Sequence, residues 1–195
     1  MVYKLAKRTV DFFGEKQIIG EDEADAYVYG MELLYSLLFN MILAGCIAIL
    51  TGMLVPIVAF LITFIGLRQC IGGYHAKTHL GCMTIFAVVL LIFSVLARWI
   101  AIPSEPWVCV MAVILSILLV CKFAPVEHPN KPLSPDEKAR LKKRGLGMVL
   151  VVSALILVMI PLAVVRRYGL YLSLGQLTAT LAMLCEVLKN KRDVI

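Results

Sequence analysis

The sequence contains little charge, since only 16% of its 195 residues are Asp, Glu, Lys or Arg, whereas 61% are apolar. This composition excludes a water-soluble globule, which needs a larger polar surface, and it equally excludes a disordered chain. The nucleotide-binding patterns G-x-x-x-x-G-K-[ST] and G-x-G-x-x-G do not occur in the sequence, so we expect no cofactor. A polytopic membrane protein is the remaining class.

Six apolar runs approach the roughly 20 residues that an α-helix needs to cross a bilayer. Because the runs are apolar on every face, they predict helices rather than barrel strands, and therefore an all-α membrane protein. Residues 1–195 form a single integral-membrane domain in this interpretation, with a six-helix bundle over residues 33–188. The predicted spans are Leu33–Leu50, Met53–Leu67, Cys82–Ala101, Trp107–Ala124, Leu146–Val165 and Leu170–Leu188.

The basic residues are distributed unevenly between the predicted spans. Of the 19 Lys and Arg, all but Arg98, Arg166 and Arg167 lie in the N-terminal segment, in two longer connections or in the C-terminal tail. The positive-inside rule therefore places both termini and these connections in the cytoplasm. The net charge of +6 predicts anionic lipid or an acidic peptide as a partner, and we expect no nucleic acid.

The N-terminal region, residues 1–29, is predicted to lie at the membrane interface. At 100° per residue one arc of a helix is apolar and the opposite arc is charged. The acidic run at positions 21–25 suits the first turn of a second helix that continues into the first span. The apolar arc consists of Val2, Leu5, Ala6, Thr9, Phe12 and Phe13.

The connection over residues 124–145 is rich in proline and then strongly basic. Ser134 and Glu137 have the spacing of a capping box, which predicts a helix start at Pro135. The basic residues can act as topology signals or as a cradle for an acidic peptide tail. The candidates for tail binding are Lys131, Lys138, Arg140, Lys142, Lys143 and Arg144.

The polar connection over residues 68–82 is the first place to look for chemistry, because polar groups at membrane depth are costly. Cys82 becomes a nucleophile if a nearby imidazole accepts its proton. His79 lies three residues away, on the same face of a helix, whereas His75 lies seven residues away, about 10.5 Å along a continuous helix. Local geometry therefore favours His79.

A zinc site is an alternative interpretation of the same connection. Cys70, His75, His79 and Cys82 supply four suitable ligands. Their spacing matches none of the common zinc patterns, and the protease motif H-E-x-x-H is absent. We therefore expect no metal.

The stretch from Arg68 to Cys82, with Gly72-Gly73-Tyr74-His75-Ala76-Lys77 at its centre, is followed downstream by Ala124-Pro125 and by the run Pro129-Asn130-Lys131-Pro132-Leu133. Together these motifs closely resemble the AgrB-type accessory gene regulator family of bacterial membrane cysteine endopeptidases. The resemblance implies Cys82 as the nucleophile and His75 as the general base, in place of His79. It also implies an active site on the cytoplasmic side of the bacterial cell membrane.

The resemblance further implies the substrate, an AgrD-type propeptide of a quorum-sensing system that regulates virulence. The enzyme would remove the C-terminal tail through a thioester and allow cyclisation to a thiolactone or lactone. Gln69 and the main-chain N–H groups near Gly72, Gly73 or Cys82 are candidate oxyanion donors. Arg68 is expected to snorkel, with contact to the peptide as the alternative. His128 and Asn130 are candidates to orient the imidazole.

Two other functions remain open from the sequence. A peptide exporter without peptidase chemistry would also need several helices, although the spans carry few charges. The second is a structural scaffold that dimerises, and the expected homodimer is also compatible with the enzyme. Its support is the pair of small residues Gly175 and Ala179, four positions apart.

Overall fold

The computed structural model describes residues 2–20, 23–74, 78–127 and 134–192, with the backbone alone for His79 and Arg192. Within these ranges all regular structure is helical, and a 3-10 turn over Ile102–Ser104 precedes the fifth α-helix. The α-helices are α1 (Val2–Glu15), α2 (Ala24–Thr51), α3 (Leu54–Ile71), α4 (His79–Trp99), α5 (Glu105–Phe123), α6 (Pro135–Met159) and α7 (Arg166–Arg192).

Five helical stretches in the described part of the chain are long and apolar enough to span a bilayer, and they comprise α2, α3, α4, the 3-10 turn with α5, and α7. The all-helical membrane class is thereby confirmed. The six-span count and the orientation of the termini remain predictions. The fifth predicted span, Leu146–Val165, falls on α6, which begins at Pro135 ahead of the basic run and ends at Met159.

The first helices agree in part with the sequence predictions. A helix does form near the N-terminus, and α1 buries Val2, Ala6 and Val10, whereas Leu5 and Phe12 of the predicted apolar arc are exposed. The location of α1 at the membrane interface stays a prediction. The hydroxyl of Thr9 lies 2.8 Å from the hydroxyl of Tyr35 on α2. The acidic run does precede a helix that continues through the first apolar run, since α2 has Asp25 in its first turn and extends to Thr51.

Many large apolar side chains stay exposed along the outside of these helices. Ile49, Leu50 and Val151 are 76%, 86% and 70% exposed. A soluble protein rarely exposes so much contiguous apolar surface, whereas contact with hydrocarbon accounts for it.

The chain divides into two compact units. The first comprises Met1–Leu50 and Ala76–Leu90, and the second comprises Thr51–His75 and Leu91–Ile195. In the second unit α7 packs against α3, α5 and α6. Its aromatic core is built around Phe60, whose ring centroid lies 4.5 Å from that of Phe93 and 5.6 Å from that of Phe64.

The close approach of α7 to α3 depends on a glycine. A Cβ atom placed on Gly175 would lie 2.5 Å from the carbonyl oxygen of Phe60, a distance that real Cβ atoms do not reach. Ala179, one turn later, is fully buried. These two small residues therefore serve packing within one chain, and they do not support the expected homodimer.

Hydroxyl and amide side chains join α5, α6 and α7 within this core. Gln176 donates to the hydroxyl of Ser153 at 2.9 Å, and the hydroxyls of Ser116 and Thr180 lie 3.3 Å apart. All four residues are buried. Such interhelical hydrogen bonds stabilise helix contacts where no water is available.

Candidate functional site

The polar connection begins where α3 ends, and its geometry requires a glycine. The N–H of Gly72 donates to the carbonyl of Arg68 at 3.1 Å, which closes the last turn of α3. Gly72 has φ +78°, a left-handed conformation that L side chains rarely adopt. A Cβ atom there would also lie 2.6 Å from the carbonyl oxygen of Val126.

Two neighbouring parts of the chain hold the segment 72–74 in place through the main chain. The N–H of Val126, in the α5–α6 connection, donates to the carbonyl of Ile71 at 3.0 Å. The N–H of Tyr74 donates to the carbonyl of Ala182 on α7, also at 3.0 Å. The backbone directly before His75 is therefore fixed on two sides.

Arg68 adds a third attachment. Its guanidinium donates to the carbonyl of Tyr74 and lies 5.7 Å from the ring centroid of Phe64. These contacts do not test the expected snorkelling of Arg68, which stays a prediction. Gln69, the neighbouring oxyanion candidate, is exposed in the last turn of α3.

Cys82 lies in the first turn of α4 and is partly buried. Thr78 caps this helix, because the N–H of Gly81 donates to its hydroxyl at 3.1 Å, while the N–H of Cys82 donates to its carbonyl at 3.0 Å. Cys82 therefore lies at the N-terminal end of a capped helix, where its side chain is partly accessible.

Several predicted site residues lie outside the described residues, namely His75, His128, Asn130 and Lys131, together with the side chain of His79. The choice between His75 and His79 as the partner of Cys82 thus stays a prediction. Among the residues that the structure does describe, no three His, Cys, Asp or Glu side chains group as metal ligands. That observation does not test the zinc alternative, because the histidine ligands lie outside this set.

A cavity of about 460 Å³, here called the lysine cleft, lies beside the same connection, in the second unit. Lys138 forms an ion pair with Glu127 at 2.9 Å, and the side-chain amide of Asn190 donates to the carbonyl of Glu127 at 3.1 Å. The predicted capping box is confirmed: Ser134 and Glu137 bond each other at 3.3 and 3.0 Å. The basic side chains at 140 and 142–144 are exposed on α6. Residues lining the lysine cleft include Lys122, Pro125, Glu127, Lys138, Asn190 and Lys191.

Sequence reasoning missed the contribution of α7 to this region. Lys189 places its ammonium 5.3 Å from the ring centroid of Tyr74 and 3.3 Å from the carboxylate of Glu186, which is buried. The available signal was an acidic residue, Glu186, next to a basic tail. Tyr74, the aromatic contact of Lys189, lies more than a hundred positions away, so sequence spacing could not connect the two residues.

A second charged cavity, of about 700 Å³ and here called the arginine cleft, lies at the opposite ends of the same helices. Arg167, in the first turn of α7, forms an ion pair with Glu105, in the first turn of α5. It also donates to the carbonyls of Ala97 and Ile100. From the sequence, Arg167 indicates only membrane topology. Residues lining the cleft include Arg98, Trp99, Ile102, Glu105, Arg166 and Arg167.

Long apolar helices with exposed leucine and isoleucine side chains, together with a polar connection that ends at a cysteine, define the class as a polytopic helical membrane protein. The chain belongs to the AgrB family, because residues 6–188 match the family described as Accessory gene regulator B. Membership places it in the agr quorum-sensing system.

The proteins to which this chain is similar in sequence are named AgrB-like proteins. The chain is 26% identical over 195 residues to one from Listeria innocua, covering 96% of this chain and 92% of that protein. It is 26% identical over 192 residues to one from Listeria monocytogenes serovar 1/2a, with the same coverage. It is 24% identical over 179 residues to one from Clostridium perfringens, covering 89% and 82%. No solved structure matches the chain.

Proposed function

We propose that this protein is a membrane-embedded cysteine endopeptidase that processes an AgrD-type propeptide, with Cys82 as nucleophile and His75 as general base. Membership of the AgrB family is the observation that carries the proposal. The location of Cys82 at the capped start of α4 supports it, because a partly exposed thiol is accessible to a substrate there. So does the fixed backbone of residues 72–74, which limits the positions available to His75.

In the proposed reaction the imidazole of His75 accepts the thiol proton of Cys82. The thiolate attacks the carbonyl at the junction between the core and the tail of the propeptide. His75 returns the proton to the departing amine, the tail leaves, and a thioester joins the core to Cys82. The internal Cys or Ser of the propeptide then attacks this thioester, which closes a thiolactone or lactone and releases Cys82.

The energetics favour intramolecular closure over hydrolysis where the site excludes water and holds the internal nucleophile close, because effective molarity is then large. Converting an amide to a thioester is uphill, whereas exchange of one thioester for another is nearly even. Removal of the released tail therefore drives the sequence of steps. A reaction that reaches completion with all of the tail retained would contradict this part.

The lysine cleft is the proposed binding surface for the tail, together with Lys131 and the exposed basic side chains at 140 and 142–144. Its lining side chains Lys122, Lys138 and Lys191 carry more positive charge than Glu127 can balance. The cleft adjoins the segment 72–74 through Val126, which bonds to Ile71. A tail bound there would lie next to the connection that leads to His75.

The alternative function, a peptide exporter, needs a polar passage between helices. The buried polar side chains of α5, α6 and α7 instead bond one another, as Gln176 does with Ser153. We therefore favour the peptidase.

The test uses the purified protein in liposomes with its cognate propeptide and follows tail release by mass spectrometry. Cys82→Ala and His75→Ala should each lower the rate by at least about a hundredfold, because general acid–base catalysis alone contributes about 10²–10⁴. With the wild type, a rapid acid quench should trap the core peptide on Cys82 as a hydroxylamine-sensitive adduct. Cys121→Ala, which changes an exposed cysteine, is the matched control and should cleave normally.

Three results would overturn the assignment. Cleavage by Cys82→Ala at the rate of the Cys121→Ala control would show that Cys82 is not the nucleophile. Loss of activity in His79→Ala with full activity in His75→Ala would assign the role of general base to His79 instead of His75. Inhibition by chelators but not by thiol alkylation would favour zinc.

A further inference from the structure

The arginine cleft has no part in the proposed peptidase reaction. Three of the four charged residues that line it are Arg98, Arg166 and Arg167. These three are the basic residues that lie outside the N-terminal segment, the two longer connections and the C-terminal tail. Three guanidinium groups and one carboxylate leave a formal charge of +2 in a cavity of about 700 Å³. A concave site with that charge selects an anion.

The buried ion pair gives the cleft a fixed wall. Glu105 is 2% exposed, and Arg167 bonds to it and to the carbonyls of Ala97 and Ile100. Arg167 is therefore largely committed to the protein. Its role is to hold the starts of α5 and α7 and the end of α4 together.

Arg98 and Arg166 differ from Arg167. In the described contacts Arg98 uses one terminal nitrogen on the carbonyl of Thr51, and Arg166 uses its Nε on the carbonyl of Ile160. A guanidinium has five N–H donors in a rigid fork, so both groups are oriented and still have donors for a ligand. Such forks match the oxygens of phosphate.

The surroundings of the cleft indicate which phosphate compound fits. Trp99 and Ile102 line the same cavity and are 83% and 67% exposed. The cleft lies at the ends of α4, α5 and α7, which are long and apolar enough to span a bilayer, and hence at a membrane interface. Tryptophan is enriched at that depth.

From these observations we infer that the arginine cleft binds the phosphate of an anionic phospholipid, with Arg98 and Arg166 on the phosphate and Trp99 and Ile102 beside the glycerol and upper acyl region. A phospholipid supplies both the anion and the apolar part, whereas inorganic phosphate supplies only the anion. The inference is independent of the peptidase chemistry, because no residue of the connection 68–82 takes part.

The test measures lipid retention by native mass spectrometry on full-length protein released from nanodiscs that contain phosphatidylglycerol and phosphatidylcholine. The wild type should keep one phosphatidylglycerol in preference to phosphatidylcholine. Arg98→Gln with Arg166→Gln should lower that retention at least about tenfold. The charge-conserving pair Arg98→Lys with Arg166→Lys should lower it several-fold, because lysine lacks the fork.

The control is Arg140→Gln with Arg144→Gln, which removes the same charge from exposed positions on α6. It should keep the tightly bound lipid. If both Gln pairs lose the same amount of bound phosphatidylglycerol while the Lys pair retains all of it, the lipid is held only by general electrostatic attraction to positive charge. That result would overturn the inference. Thermal unfolding of every variant identifies a loss of lipid that follows from loss of fold, and in that case the Lys pair decides.

Two competition arms distinguish the source of the anion. Millimolar inorganic phosphate should not displace the lipid. If it does so fully, the cleft is a site for free phosphate and not for a lipid headgroup. Displacement by the propeptide at equal concentration would assign the cleft to peptide and would also overturn the inference.

Discussion

The two ends of α7 carry basic side chains in different ways. At its start Arg167 contacts the buried carboxylate of Glu105 and two main-chain carbonyls. Towards its end Lys191 lines the lysine cleft, where the ion pair of Lys138 with Glu127 remains substantially exposed, at 53% and 38%. The start of α7 therefore uses charge to fix helices, and the cleft at the other end presents charge to solvent, although Lys189 nearby pairs with the buried Glu186.

The difference follows from side-chain chemistry. Arginine is always charged and has a planar fork that can satisfy several acceptors at once, which suits a site with little water. Lysine is a strongly hydrated point charge on a flexible stem, and its exposed ion pairs are weak and screened by salt. The arginine end should thus govern stability, and the lysine end should govern salt-dependent binding. Four predictions test this contrast.

Removing the buried carboxylate should have the largest effect on stability. Glu105→Ala leaves Arg167 without its partner and should lower the free energy of unfolding by about 2–3 kcal/mol. This is less than for a fully buried pair, because the side chain of Arg167 is 32% exposed. Unfolding in mixed micelles measures the change. Glu127→Ala, at the lysine end, should cost less than about 1 kcal/mol, and equal losses would remove the contrast.

Gly72 is the position at the lysine end where backbone geometry, and not charge, should dominate. Gly72→Ala should cost about 1–3 kcal/mol, because φ is +78° and the added methyl meets the carbonyl of Val126. The rate of tail release should also fall in this variant, because the segment that leads to His75 would shift. Gly73→Ala is the comparison, because a Cβ there comes no closer than 3.5 Å to any neighbour. A Gly73→Ala protein that is destabilised as much as Gly72→Ala would contradict the geometric reason.

Helix capping offers a matched pair between the two ends. Ser134→Ala removes the side-chain bond to the N–H of Glu137 and should cost about 1 kcal/mol. Ser104→Ala should cost only a few tenths, because Ser104 precedes α5 without a side-chain cap bond. Hydrogen exchange in the first turns of α6 and α5 reports the difference. Faster exchange in α5 than in α6 after the respective changes would reverse the expected order.

The smallest effect should be the contribution of a single exposed charge to propeptide binding. Lys138→Gln should weaken binding about two- to fivefold at low salt, and the difference should vanish near 0.5 M NaCl, because screening then acts within a few ångströms. Binding to liposome-embedded Cys82→Ala protein avoids turnover. Lys7→Gln removes an exposed charge on α1 and serves as the control. A loss that persists at high salt would indicate a direct, desolvated contact instead.

Features that depend on neighbours in sequence were predictable. The capping box of Ser134 and Glu137 and the helix near the N-terminus both follow from patterns within a few residues. Contacts between distant positions were not predictable in this way. Arg167 and Glu105 are separated by 62 positions, and no periodicity links them.

The candidate site likewise has features that were predictable from nearby residues and contacts between distant positions that were not. The residue types of the connection, with Cys82 at its end, could be identified from the sequence, and the resemblance selected His75 over His79. The attachment of the connection to Val126 and Ala182 could not, because those bonds join main-chain atoms. A pattern of side chains contains no information about which carbonyl a distant N–H will reach.

The main-chain bond between Val126 and Ile71 has a consequence for exchanging parts between relatives. Because neither partner atom belongs to a side chain, the bond tolerates almost any sequence in the loop that follows, provided that position 72 stays glycine. A chimera that receives the loop of another AgrB-like protein should thus keep this anchor, and with it the path of the chain from α3 into the polar connection.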